Sequence, residues 1–390
     1  MQVPELMNAY ARIDTLFVRG EGTRLWDTEG KEYLDALAGI AVCGLGHAHP
    51  KVSKAICDQA HTITHTSNLF HNEPQQRLAK ALCALSGMDN VFFSNSGAEA
   101  NEAALKIARK YGNDKGISNP TVITFEKSFH GRTMATISAT ANSKVKDGFY
   151  PLLDGFVHAP YDDIDALKAI AENNKDIVAV FVEPVQGEGG VNVPADNYLS
   201  ELRALCDAND WLLMLDEIQT GIGRTGKFLA YQHTSIQPDV ITLAKGLGNG
   251  FPVGACLAHG KAALVIQPGN HGSTFGGNPL ASHTAKTVLD IIIEENLVEN
   301  ANRIGKKIIS ELQAALNDVE GVVDIRGKGL MIGIELNKPC GELVQAALNE
   351  GVVLNVTAGN VIRLLPPLIF NDSDADTLIQ TVTSLVKDFS

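Results

Sequence analysis

The sequence predicts an α/β protein: a large domain whose mostly parallel sheet is covered by helices, and a smaller α+β domain formed by both chain ends. Three observations carry that expectation. From Pro50 to about residue 258, short apolar runs alternate with helical patterns, as strands joined by crossover helices do. Runs such as Ile177–Val182 and Val240–Ala244 show no polar alternation, which fits strands buried on both faces. Beyond Leu257 the pattern changes to a glycine-rich loop, long helices and short strands, so a second unit begins there. The expected division is 1–46 for the N-terminal part of the small domain, 47–280 for the large domain and 281–390 for the C-terminal part.

Taken in order, residues 15–42 read as a small β-meander, with Asp27-Thr28-Glu29-Gly30-Lys31 as a turn. Gly44–Pro50 breaks the pattern, and helices are expected near 51–62 and 74–86. His47 and His49 lie two apart, but without a third ligand they read as loop residues rather than a metal site. After residue 280 the expectation is a long helix to Glu295 and another over about 298–316. Strands at Val322–Ile325 and Leu330–Leu336, a helix near 341–349, strands at Val352–Asn355 and Val361–Leu365, and a last helix near 373–388 follow.

The chain has 390 residues, 45% of them hydrophobic, enough for two or three domains with a large core. Its net charge of −13 argues against nucleic acid or an anionic membrane as a standing partner. The 6 cysteines show no C-x-x-C spacing, so neither a zinc knuckle nor a disulfide framework is expected. Met1–Asp14 has no apolar signal region, and no run approaches a membrane span, so a cytoplasmic protein is expected.

The chemistry gathers at strand ends. Val240–Ala244 delivers Lys245 into a loop with glycines at 246, 248 and 250, where backbone can approach a ligand closely. Trp211–Leu215 discharges Asp216, followed by Glu217-Ile218-Gln219. In an open α/β sheet ligands bind beyond the carboxyl ends of strands, so Lys245 and Asp216 can face one crevice. Pyridoxal phosphate needs both groups, a lysine for its imine and a carboxylate for its pyridine nitrogen. Gln219 could donate to the ring's phenolate oxygen. Val91-Phe92-Phe93 runs into Ser94-Asn95-Ser96-Gly97-Ala98 at a helix start, either a phosphate seat or an ordinary N-cap at Ser94 or Ser96. Phe129 can stack on a planar ring, and Arg132 can hold a carboxylate bidentately. Glu183 enters the same crevice. Arg363, alone among apolar neighbours, reads as a carboxylate grip or a surface arginine on an edge strand.

A rival pattern sits at Gly221–Lys227, which matches both G-x-G-x-x-G and G-x-x-x-x-G-K. It would suggest a nucleotide-binding dehydrogenase or NTPase. Phe228 stands where magnesium needs Ser or Thr, and Asp216-Glu217 just upstream would repel a pyrophosphate.

Together, Ser96–Asn101, Phe129-His130-Gly131-Arg132-Thr133, Leu215–Gly221, Lys245 and Ser273–Pro279 resemble the class III (ω-amino acid) pyridoxal-phosphate aminotransferases of fold type I. The similarity extends from Phe17–Gly22 through Ser67-Asn68-Leu69-Phe70 to Arg363–Leu368, nearly the whole chain. It implies a seven-stranded, mostly parallel sheet and a homodimer with shared active sites. It also implies Lys245 as the imine lysine and proton carrier, and Asp216 on the pyridinium. Gln219 would meet the phenolate, Gly97 and Ala98 the phosphate, and Phe129 the ring. Thr274 would reach the neighbouring subunit's cofactor phosphate and Ser273 its substrate. Arg132 would take a donor's α-carboxylate while Glu183 covers Arg363, and Arg363 would be uncovered for glutamate or 2-oxoglutarate. The implied reaction moves the δ-amino group of N2-acetylornithine to 2-oxoglutarate, in arginine biosynthesis. Ornithine, succinyldiaminopimelate and 4-aminobutyrate are the alternative donors. His71 departs from the tyrosine expected after Leu69-Phe70, which bears on the acyl end of the pocket.

Overall fold

The computed structural model describes residues 5–390, so Met1–Pro4 of the expected N-terminal segment lie outside the described residues. Three strands come first: β1 (Phe17–Glu21), β2 (Arg24–Asp27) and β3 (Glu32–Asp35). Next come β4 (Asn90–Ser94), β5 (Thr121–Phe125), β6 (Phe156–Ala159), β7 (Ile177–Val182), β8 (Leu212–Asp216), β9 (Val240–Leu243) and β10 (Gly254–Ala258). The last are β11 (Val322–Lys328), β12 (Met331–Leu336), β13 (Val352–Val353), β14 (Asn355–Thr357) and β15 (Val361–Leu364).

The middle strands form one seven-stranded sheet in the order β4-β10-β9-β8-β7-β5-β6. Only β10 runs against its neighbours. Every residue of β7, β8 and β9 is buried, because helices cover both faces, which is why these strands read as unbroken apolar runs. A strand with no wet face leaves its ends as the only place for charge. Since β10 is antiparallel to both β4 and β9, the carboxyl ends of β4, β5, β7, β8 and β9 open on one edge of the sheet.

The chain ends join beside that edge. β13 pairs in parallel with β3, closing a sheet β1-β2-β3-β13, while β11-β12-β15-β14 forms a second antiparallel sheet. The helix Pro279–Glu294 packs on the helices Pro50–Thr62 and Glu73–Ser86, so the expected division at 280 falls inside its first turn. Arg363 sits on β15 between β12 and β14 with no exposure, which excludes the edge-strand surface arginine.

One expectation is corrected, and the rival glycine pattern, already opposed by Phe228 and Asp216-Glu217, is resolved. The meander ends at Asp35, not at residue 42. Ala38, Gly39, Ile40 and Ala41 instead form one tight turn with positive φ of 52, 63, 66 and 61°, a left-handed helical turn. Asp35 makes it possible: its Oδ1 accepts the N–H groups of Leu37 and Ala38 at 2.9 and 2.8 Å, and its Oδ2 lies 2.7 Å from His47 Nε2. The glycine run Gly221–Lys227, in turn, leads into no helix. It folds into turns, with Gly223 N–H on Phe228 O at 3.0 Å and buried Arg224 donating to the carbonyls of Leu330 and Pro366. A phosphate loop needs free N–H groups at a helix start, so the nucleotide reading fails. Among the described residues no group of three metal-ligating side chains occurs.

The Asp35 hydrogen bond raises the His47 imidazole to about 9, with the Cys43 thiol adding to it. A raised histidine contributes stability that is complete below its unfolded value of 6.5 and is lost as pH rises through about 9. His47→Gln therefore lowers Tm more at pH 6 than at pH 10. Thermal melts of both proteins at the two pH values check this, and an equal loss at both would contradict it.

Candidate active site

At the shared strand edge lies a cavity of about 400 Å³. Ser96, Gly97, Ala98, Phe129, Arg132, Glu183, Asp216, Gln219 and Lys245 line it. In the sheet register Asp216 lies across from Thr242, so the end of β8 and the start of the Lys245 loop are neighbours.

Asp216 is 4% exposed and fully engaged on one oxygen. His130 Nδ1 donates to Oδ2 at 2.8 Å and Asn101 Nδ2 donates to the same atom at 2.8 Å, while Oδ1 takes only the Ile218 N–H at 3.1 Å. His130 is stacked on Phe181 at 4.3 Å, and its other ring nitrogen has no partner in the structure. Neither Asn101 nor His130 was singled out from the sequence. The signal was present, since both lie inside the quoted motifs, but only the packing of the helix Gly97–Asp114 against β8 reveals which atom they serve.

Lys245 opens a short 3-10 turn at φ 39°, a left-handed value uncommon for lysine. Burial pulls its amine below the usual lysine range, with Glu188 acting in the opposite direction. Such an amine is more readily neutral and nucleophilic. Ser96 caps the helix Gly97–Asp114, its hydroxyl accepting the Glu99 N–H at 3.2 Å. The cap reading is therefore correct for Ser96. It leaves the Gly97 and Ala98 N–H groups at the positive end of an 18-residue helix without intrahelical partners, which suits a phosphate. A Cβ at Gly97 would come within 2.7 Å of the Ile218 side chain, so glycine lets that side chain pack close to the helix start.

The carboxylate that covers Arg363 is Glu188, not Glu183. Arg363 Nη1 donates to Glu188 Oε1 at 2.6 Å and lies 3.4 Å from Gln219 Oε1. Glu183 follows β7 directly and accepts the N–H groups of Phe129 and Gly187 at 3.1 and 3.3 Å. The turn after it carries Glu188 to the C-terminal sheet, where Arg326 holds the carbonyls of Gly190 and Val191 at 2.6 and 2.9 Å. Burial, with Asp216 adding to it, raises the Glu183 carboxyl to about 7. Burial also acts to raise Glu188, but Arg363 and Lys245 outweigh it and hold that carboxyl below its ordinary value.

Arg132 is exposed, with its guanidinium 5.7 Å over the Phe129 ring. Ser273 and Thr274 lie outside the cavity lining, in the loop before the helix Pro279–Glu294; Ser273 Oγ accepts from Asn95 at 3.2 Å and Thr274 is exposed. His71 is likewise exposed and outside the lining.

The family model "Aminotransferase class-III" matches residues 7–386. The acetylornithine aminotransferase of Nitrosomonas europaea is 56% identical over 98% of this chain and 98% of its own length. That of Methanothermobacter thermautotrophicus is 44% identical over 98% of this chain and 96% of its own. Among solved structures, ornithine aminotransferase from Toxoplasma gondii ME49 superposes with a TM-score of 0.95 at 36% identity, covering 99% of this chain and 93% of that one. Acetylornithine aminotransferase from Elizabethkingia anophelis gives 0.87 at 36% identity, over 98% and 96%.

The Glu188–Arg363 pair is testable without any ligand. Glu188→Gln leaves a buried guanidinium without its counter-charge and destabilises the protein by roughly 1–3 kcal/mol, discounted for the partial exposure of Glu188. Because the Glu188 carboxyl is held below 4.5, its contribution is present above that pH and fades beneath it. The Tm gap between the two proteins is thus expected to be wide at pH 7 and narrower at pH 4.

Proposed function

The chain belongs to the class-III aminotransferases, and from that premise we propose that it moves the δ-amino group of N2-acetyl-L-ornithine to 2-oxoglutarate, giving N-acetylglutamate 5-semialdehyde and glutamate in arginine biosynthesis. It is a pyridoxal-phosphate-dependent transaminase. When bound, that cofactor supplies an electron-withdrawing ring that stabilises the carbanion formed beside the transferred nitrogen. The residues present fit it: unbonded amides at a helix start for the phosphate, a buried carboxylate for a protonated ring nitrogen, and a desolvated lysine.

The observation that carries the reading is Asp216, locked against His130 and Asn101 and lining the same cavity as Lys245. Lys245 would be the covalent anchor and would then hold and move the proton at the donor's δ-carbon, a task suited to a lowered amine pKa. Asp216 would keep a proton on the ring nitrogen. Gln219 would donate to the phenolate oxygen and Phe129 would stack on the ring. Arg132 would grip the donor's α-carboxylate while Glu188 covers Arg363. With glutamate or 2-oxoglutarate, Glu188 would swing off and Arg363 would take the α-carboxylate, leaving the distal one to Arg132. One cavity thereby serves two substrates of different length.

The active unit in this reading is a cytoplasmic homodimer in which Thr274 reaches the partner's cofactor phosphate and Ser273 its substrate. The exposed side chains of Leu69, Phe70 and Phe275 support it: Asn68 bonds the carbonyls of Ser273 and Gly276, so the two apolar segments adjoin, as at an interface. No described helix is long and apolar enough to cross a membrane.

Ornithine remains the second reading, because ornithine aminotransferases superpose on nearly the whole chain. A donor panel decides: kcat/KM for N2-acetylornithine is expected to exceed that for ornithine at least about tenfold, a preference of about 1.4 kcal/mol. Slower turnover of the acetylated donor than of ornithine would sink the substrate assignment. In the same preparation, Lys245→Ala is expected to lose the visible cofactor band that borohydride bleaches in the wild type.

A further inference from the structure

Four consecutive residues with positive φ, three of them not glycine, are costly, and such strain persists only where the surroundings over-determine it. The turn Ala38–Ala41 is pinned at both ends. Asp35 holds its start through the N–H groups of Leu37 and Ala38, and Asp35 is itself held by His47. Beyond its end, Leu45 N–H donates to Asn249 Oδ1 at 2.7 Å and Asn249 Nδ2 returns a bond to Gly46 O at 3.1 Å. Asn249 belongs to the loop that follows Lys245. Between the pins stands Val42, whose N–H bonds Ala38 O at 2.8 Å and which lines the cavity.

The acids of that cavity are committed elsewhere. Asp216 is held on Oδ2 by His130 and Asn101, with its other oxygen reserved on the proposed reading for the ring nitrogen; Glu188 is paired with Arg363, and Glu183 accepts two backbone N–H groups. Val185, Phe251 and Val253 continue the wall with Val42. A donor carrying a second, free ammonium would bring a charge that no carboxylate here is free to meet, and an unpaired buried ammonium is strongly disfavoured. Acylating that nitrogen removes the charge and adds apolar surface.

We propose that Val42, fixed in the cavity wall by the left-handed turn Ala38–Ala41, is a specificity-determining residue that favours donors whose second nitrogen is acylated over donors in which it is a free ammonium. The proposal rests on the reading that the ω-amine of a diamino acid is transferred. It predicts that a carboxylate at position 42 supplies the missing counter-charge.

The test is kcat/KM for N2-acetylornithine divided by that for ornithine, in holoenzyme carrying Val42→Asp, Val42→Asn or Val42→Ile. Both donors carry the same α-carboxylate and ω-amine, so effects on those groups cancel in the ratio. Val42→Asp is expected to lower the ratio at least about tenfold, chiefly through a lower KM for ornithine, and Val42→Asn by about threefold or more. Val42→Ile keeps it within about twofold, since volume and polarity are nearly preserved. If Val42→Asp does not fold, Val42→Asn decides. A ratio unchanged in the acidic and amide variants, or parallel loss with both donors, overturns the role of Val42 while leaving the donor assignment intact. A wild-type preference for ornithine overturns the donor assignment itself.

Discussion

Everything functional in this chain follows from one charge held out of water. Asp216 ends a strand that is buried on both faces, and its carboxylate survives there because His130 and Asn101 both donate to Oδ2. Without them that buried carboxylate would lack the hydrogen bonds that offset its loss of water. The two donors leave Oδ1 with a single backbone bond, so the charge is stabilised on one side and available on the other. His130 in turn is held by stacking on Phe181 and by Thr140 Oγ1 on its N–H. On the proposed reading, the carboxylate that meets the cofactor is thus set by groups that need never touch it.

The sheet topology explains why the rest gathers at the same place. Strands covered on both faces exile charge to their ends, and parallel order puts those ends on one edge. The chain termini complete the wall. Arg363 comes from an interior strand of the C-terminal sheet, and Arg326 from the same sheet clamps the loop that carries Glu188. Val42 comes from the N-terminal segment, which the parallel pairing of β3 with β13 ties to the C-terminal part of the chain. Residues more than two hundred positions apart, Val42 and Val253, thus line one cavity, and Arg363 meets it through Glu188.

Much of this was legible in the sequence. Strand ends were, because an apolar run closing on Asp216 or Glu183 has a physical meaning that needs no tertiary information. What was not legible is which acid meets which base. Glu183 and Glu188 are equivalent on paper; they differ because backbone amides of Phe129 and Gly187 capture the first, while a glycine turn carries the second to Arg363. The left-handed turn was hidden for another reason. Ala38-Gly39-Ile40-Ala41 has the composition of an ordinary strand or helix, and its conformation is held by Asp35, itself fixed by His47, and by Asn249 beyond its end. Gly221–Lys227 carries the opposite lesson, since a glycine pattern that matches a phosphate loop here serves close packing: a Cβ on Gly226 would lie 2.8 Å from Asn302.

Glu183 shows how finely the cluster is poised. Its carboxyl stands at about 7 because burial disfavours the charge and Asp216 adds a like charge, while His130 works against both. A cation brought to the free side of Asp216 offsets that like charge and lowers the Glu183 carboxyl. By linkage, an ionised Glu183 then favours the cation at Asp216 by the same free energy. On the proposed reading the protonated ring nitrogen of a bound cofactor would be such a cation, and Glu183 would be coupled to it through Asp216, while Glu188 is the glutamate that meets Arg363.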